Sequence, residues 1–138
     1  MEVLKVKDLH IGYRDKAILP PINVSLNEGN LIALIGPNGA GKSTLFKTLT
    51  AYIKPVSGSI ELMGKELSSY SAKEKAMLIG LVLTERPDDM FLKVYDVVSS
   101  GRCPYTNFFG KKEKDDENIM QESLEIVGID QLKNRHFN

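Results

Sequence analysis

Apolar and polar positions alternate through the start of the chain, imperfectly. Leu4, Val6 and Asp8 interleave with Val3, Lys5 and Lys7, and Ile11 and Tyr13 prolong the pattern. A strand is expected here, with Arg14-Asp15-Lys16 as a hairpin turn and Ala17–Leu26 as the returning strand. Pro20-Pro21 removes two amide donors, which makes that second strand an edge or breaks it. Asn27-Glu28-Gly29-Asn30 reads as a turn. Leu31–Ile35 is an unbroken apolar run between punctuating residues, which suits a strand buried on both faces.

Past the glycine-rich segment 36–41, residues 42–52 carry helical spacing, with Leu45, Phe46 and Leu49 as the apolar stripe and Pro55 and Gly58 as stops. Ser59–Met63 is a short strand turned by Gly64-Lys65. Ser71-Ala72-Lys73-Glu74 has capping-box spacing and opens a short helix. Met77–Leu83 reads as a second core strand, 84–92 as a polar loop and Val94–Ser99 as a short helix ended by Gly101. A loop through Pro104 and Gly110 follows. The last helix is expected over about 112–127, with Ile119, Met120, Leu124 and Val127 on its apolar face. Glu113, Asp115 and Asp116 favour its first turn, and Gly128 stands where a C′ glycine belongs. The run from there to Asn138 carries no terminating element. Strands alternating with helices make the class α/β.

Composition narrows this without changing it. The 138 residues carry 18 basic and 18 acidic side chains, with 42% hydrophobic and 26% charged residues. That suits one globular domain and argues against nucleic-acid binding by bulk positive charge. The longest apolar run, Leu31–Ile35, falls far short of the roughly 20 residues that span a bilayer. The opening residues have no apolar signal region, and Cys103 is the single cysteine, so a reducing, cytoplasmic setting is expected.

The chemistry lies in Gly36-Pro37-Asn38-Gly39-Ala40-Gly41-Lys42-Ser43-Thr44, which fits G-x-x-x-x-G-K-[ST]. Glycines let the backbone turn its amides inward as an anion nest, and the following helix N-terminus also favours phosphate. Lys42 would reach the β- and γ-phosphates, and Ser43 would place its hydroxyl on Mg²⁺. An apolar run before the loop and an amphipathic segment after it are the context this motif requires.

The run ALIGPNGAGKSTLFKTLTAYIKPVSGSIELMGKEL, residues 33–67, resembles the nucleotide-binding subunit of an ABC transporter. The P-N-G-A-G form of the loop carries that resemblance, as do Lys54–Ile60 and the aromatic Tyr13 upstream. Val94–Tyr105, read as V-x-x-x-V-x-x-G-R-x-P-Y, is similar to ATPases of iron–siderophore, haem and vitamin B12 importers. The resemblance implies a P-loop NTPase cassette with an N-terminal antiparallel β-segment, a phosphate-loop core and part of a helical subdomain. It assigns 1–30 and 56–70 to the β-subdomain, 31–55 and 77–84 to the core, and 85–138 to the start of the helical subdomain. ATP and Mg²⁺ would be held by Tyr13, stacked on adenine, and by Gly36 to Thr44, with Lys42 as the catalytic group and Ser43 as the metal ligand. Implied partners are transmembrane permease subunits, met through roughly residues 84–110 on the cytoplasmic face of the membrane, and a second cassette as a homodimer. No nucleic acid is implied.

Two departures qualify the resemblance. Where the family has a glutamine after the second core strand, this chain has Thr84 followed by Glu85, and the role of either stays open. Residues 128–138 resemble the run-up to the family's signature motif, and neither that motif nor the later Asp-Glu strand and switch histidine is present. His10 and His136 do not replace the histidine. The expectation is the N-terminal portion of a longer ATPase that drives uptake of an iron–siderophore or related chelate. By itself the portion would bind nucleotide weakly, turn it over negligibly and expose apolar edges prone to association. A non-hydrolysing ATP-binding regulatory module and a small P-loop kinase remain as alternatives, although Arg14, Arg86, Arg102 and Arg135 are scattered where a kinase lid needs a cluster.

Overall fold

The computed structural model describes residues 1–82, 91–106 and 114–136. The expected polar loop at 84–92 and the positions Thr84, Glu85, Arg86 and Glu113 lie largely or wholly outside them. The chain forms two compact units, Met1–Lys75 and Ala76–Asn138.

In the first unit, β1 (Glu2–His10), β4 (Ile22–Asn27), β5 (Ser57–Leu62) and β6 (Lys65–Glu66) make an antiparallel sheet in the order β4-β1-β5-β6. A separate two-stranded ribbon joins β2 (Gly12–Tyr13) to β3 (Lys16–Ala17). Arg14 and Asp15 both have positive φ, as the tight turn between two right-twisted strands demands. The chain breaks at Pro20-Pro21, and β4 beyond it lies at the sheet edge, which satisfies both constraints of that dipeptide.

The imperfect alternation of β1 has a physical cause. Register shifts against both neighbours fall between Val6 and His10, where Asp8 has φ 46°. This bulge lets Val6 and Leu9, an odd number of residues apart, both be buried with Ile11, Ile60 and Leu67. The bulge is held on one side by Asn23, whose Oδ1 accepts from the Asp8 amide at 2.8 Å while its Nδ2 donates to Asp8 Oδ1 at 3.1 Å.

Helix α1 (Lys42–Leu49) starts where expected and ends earlier. Ala51 takes φ 58°, and the amides of Ala51 and Tyr52 bond to the carbonyls of Thr48 and Lys47 at 3.0 and 2.8 Å. This left-handed cap ends the helix several residues before Pro55. Gly58 is no helix stop: it lies inside β5 at φ 86°. The buried face of α1 is Thr44 and Thr48, with the Thr48 hydroxyl donating to the Thr44 carbonyl at 2.8 Å. Leu45 and Leu49 are only half-buried and Phe46 is exposed, so the apolar stripe is not the buried one.

The two expected core strands do not form among the described residues. Residues 31–35 join no ladder, and Leu31 and Ile35 are 97% and 91% exposed. Of 77–83, Met77 and Leu78 complete α2 (Ala72–Leu78), 79–82 pair with nothing, and Val82 is 96% exposed. A core strand takes its backbone hydrogen bonds from neighbours on either side, and no described segment supplies them.

α2 opens with the expected reciprocal cap. The Ser71 amide donates to Glu74 Oε2 at 2.7 Å, and the Glu74 amide donates to Ser71 Oγ at 3.2 Å. The Ser71 amide, then its hydroxyl and the neighbouring Lys65, hold the Glu74 carboxyl below its ordinary value of 4.5. A depressed folded pKa means the cap contributes fully above about 4.5 and is lost as pH falls through the lower folded value. Acidification should therefore loosen the start of α2, read as faster amide exchange at Lys73–Lys75. Glu74→Gln should remove that pH dependence.

The second unit holds α3 (Val94–Ser100) and α4 (Lys114–Val127). At the start of α3 the amides of Val94 and Tyr95 donate to the carbonyls of Arg135 and Lys133 at 3.0 and 2.9 Å, and Lys93 bridges His136. The C-terminal run is thus anchored, with a short 3₁₀ turn at Asp130–Leu132, where no terminating element was expected. α4 ends as expected at Gly128, with φ 73° and the paired Gly128-to-Glu125 and Ile129-to-Leu124 bonds of a left-handed cap. Its buried residues are Asp116, Met120 and Leu124, while Ile119 and Val127 are exposed. The buried line follows i, i+4, i+8: it keeps the expected Met120 and Leu124, and takes in Asp116 in place of Ile119 and Val127.

Candidate functional site

Residues 36–41 lead without interruption into α1, so the loop amides precede a helix N-terminus. Gly39 and Gly41 have φ 81° and 87°, a region that residues with a side chain rarely enter. A Cβ at Gly41 would also press on Ile18 Cδ1 at 3.2 Å and Leu19 Cδ1 at 3.3 Å. Space and conformation both demand glycine there.

Lys42 folds back over this loop, and its ammonium donates to the carbonyls of Gly36 at 2.8 Å and Pro37 at 2.7 Å. The charge is therefore held at the loop by acceptors that a phosphate can replace. No acidic residue lies between Gly36 and Leu49 to oppose an anion. Ser43 is exposed at the first turn of α1, and Thr44, next to it, is buried.

Tyr13 comes from a separate element. It ends β2, 55% exposed, with its hydroxyl 3.3 Å from Thr44 Oγ1. The first unit thus brings together every residue proposed from the sequence: Tyr13, Gly36, Pro37, Asn38, Gly39, Ala40, Gly41, Lys42, Ser43 and Thr44. Sequence reasoning missed the packing of Ile18 and Leu19 against Gly41, because two apolar residues beside a proline pair carry no signal of their own.

A groove of about 410 Å³ opens elsewhere in the first unit, lined by Thr48, Ala51, Ile53 and Pro55 with Lys54, Glu66 and Lys75. It holds none of the proposed site residues. Groups of three or more side chains suited to binding a metal ion are absent among the described residues. No helix among the described residues is long and apolar enough to cross a membrane.

The G-R-x-P-Y segment is built around Arg102. Its Nε lies 2.8 Å from Asp116 Oδ1 on α4, and its guanidinium stacks on Tyr105 at 4.1 Å. Arg102 is therefore not free to serve as a lid arginine. Spacing alone could not pair it with an acid fourteen positions on.

Comparison with known proteins gives a consistent picture. An ABC transporter ATP-binding protein of Methanocaldococcus jannaschii is 39% identical over 135 residues, 98% of this chain and 47% of that protein. The iron(3+)-hydroxamate import ATP-binding protein of Bacillus subtilis is 33% identical over 98% of this chain and 50% of its own length. The chain thus spans about half the length of these curated relatives. Among solved structures, a metal-chelate type ABC transporter in an inward-facing conformation is 26% identical. It superposes with a TM-score of 0.72 over 99% of this chain and 48% of its own. The family model for ABC transporters matches residues 19–138, which include the glycine loop and α1. A match of that extent means that the chain belongs to the ABC transporter family.

Proposed function

We propose that this chain forms the nucleotide-binding part of an importer ATPase whose whole protein hydrolyses ATP to drive uptake of an iron–siderophore or related chelate. The observation that carries the reading is the Lys42 ammonium held on the Gly36 and Pro37 carbonyls at the mouth of a glycine loop. Incoming phosphate oxygens replace those carbonyls as acceptors, and the loop amides and the α1 N-terminus take up the remaining charge. The Ser43 hydroxyl fits a Mg²⁺ site, and the ion when bound would neutralise phosphate charge. Tyr13 offers its ring to adenine. The cargo class is supported by the names of relatives for iron(3+)-hydroxamate, ferric enterobactin and hemin import. Contact with permease subunits through roughly residues 84–110, pairing with a second cassette and a place at the cytoplasmic membrane face belong to the same proposal.

Titration calorimetry of MgATP tests it. Binding is expected for the unaltered protein. Lys42→Ala removes charge-assisted bonds to phosphate and should weaken binding by about tenfold or more. Tyr13→Ala loses a stacking surface and should weaken it by at least about fivefold. Lys42→Ala binding as tightly as the unaltered protein would overturn the reading.

A further inference from the structure

We propose that Thr44 is a positioning residue for base recognition: its hydroxyl holds the Tyr13 ring in place, tying the base platform to the helix that follows the phosphate loop. The inference rests on the nucleotide reading above and adds a residue role to it. Tyr13 belongs to a ribbon of two strands with two residues each, outside the four-stranded sheet. So short a ribbon has little stability of its own, and its sheet bonds cannot hold an aromatic ring at a defined place. Contacts to α1 hold it as well. Ile18 and Leu19, directly after β3, lie within 3.3 Å of where a Cβ at Gly41 would be, and the Tyr13 hydroxyl lies 3.3 Å from Thr44 Oγ1.

The two partners differ in a useful way. Thr44 is 8% exposed on a regular helix, so its side chain is a fixed point, whereas Tyr13 is 55% exposed and leaves surface for a flat ligand. Thr44 lies two residues after Lys42 on the same helix. Any movement of the first turn of α1 on phosphate binding therefore reaches the ring through this bond. Losing the bond frees the ring to rotate, and stacking then carries the cost of ordering it again.

The test compares MgATP with magnesium tripolyphosphate as calorimetric probes, and the readout is the preference for ATP over triphosphate. Tyr13→Phe keeps the ring and removes only the hydroxyl; it should lower the preference by about 3- to 10-fold. Thr44→Val should lower it similarly, Thr44→Ser should restore it, and the double variant Tyr13→Phe/Thr44→Val should lose no more than either alone. A preference that survives Tyr13→Phe unchanged, or losses that add in the double variant, would overturn the positioning role. An unaltered protein that binds triphosphate as tightly as ATP would overturn the stacking reading itself and this role with it.

Discussion

Gly58→Ala should destabilise the first unit by about 3 kcal/mol or more, the sum of a left-handed backbone penalty and an overpacking penalty. Gly58 sits in β5 at φ 86°, opposite the bulge of β1. A Cβ there would drive into the Asp8 carbonyl, with the Asp8 carbon at 2.6 Å and Leu9 Cα at 2.7 Å. These are backbone atoms, and they cannot rotate away. The bulge itself cannot retreat, because Asn23 holds Asp8 from β4 while the Asp8 carbonyl lies 3.0 Å from His10 Nδ1, which meets Ser57 Oγ at 3.0 Å. Gly64 is the control: its φ is 77°, and open space surrounds the added atom. Gly64→Ala should carry only the backbone penalty, about 1–2 kcal/mol. Urea denaturation of both variants separates the terms, and equal losses would show that the close approach to Asp8 does not matter.

Arg102→Ala should cost the second unit about 3 kcal/mol, the lower end for breaking a buried ion pair by removing one member. The side chains of Arg102 and Asp116 are 20% and 9% exposed, so the carboxylate left behind could not recover its full hydration. The loss includes the packing of the guanidinium on Tyr105. Replacing both charges, as Arg102→Met with Asp116→Leu, should recover most of the stability, because the cost lies in the unpaired charge rather than in the absence of attraction. Thermal unfolding followed by helical circular dichroism checks both. A melt of Arg102→Ala that overlays the unaltered protein would remove the pair from any account of how this segment is held. Because the segment 101–106 belongs to the surface proposed to meet the permease, the same variant should also weaken that contact in the whole protein.

Much of the local structure was legible in the sequence because its causes are local. Asp15 beside Arg14 turns a hairpin, Ser71 and Glu74 cap each other three residues apart, and Gly128 ends a helix. Each depends on one or two neighbouring side chains and the φ they allow. The glycine loop proposed to hold phosphate was legible as a motif for the same reason, since its glycines, lysine and serine lie within one short stretch. The boundary errors share a cause as well. Gly58 and Pro55 read as stops, but Ala51 had already ended α1 through a left-handed cap to which its sequence gives no clue.

Where position depended on distant residues, the chain's own pattern was insufficient. Leu31–Ile35 and Met77–Leu83 have the composition of core strands, yet a strand exists only if another segment offers it a ladder, and none of the described residues does. The buried face of α1 went to Thr44 and Thr48 rather than to the leucines, because burial follows what covers a face and not how apolar it is. By itself, the sequence determined the glycine-loop motif, the turns, the caps and the family. Only the tertiary structure decided that Tyr13 reaches Thr44, that Arg102 meets Asp116 and that a bulge at Asp8 demands glycine at position 58. Those contacts join residues far apart along the chain, and periodicity carries no information about which distant segment will arrive.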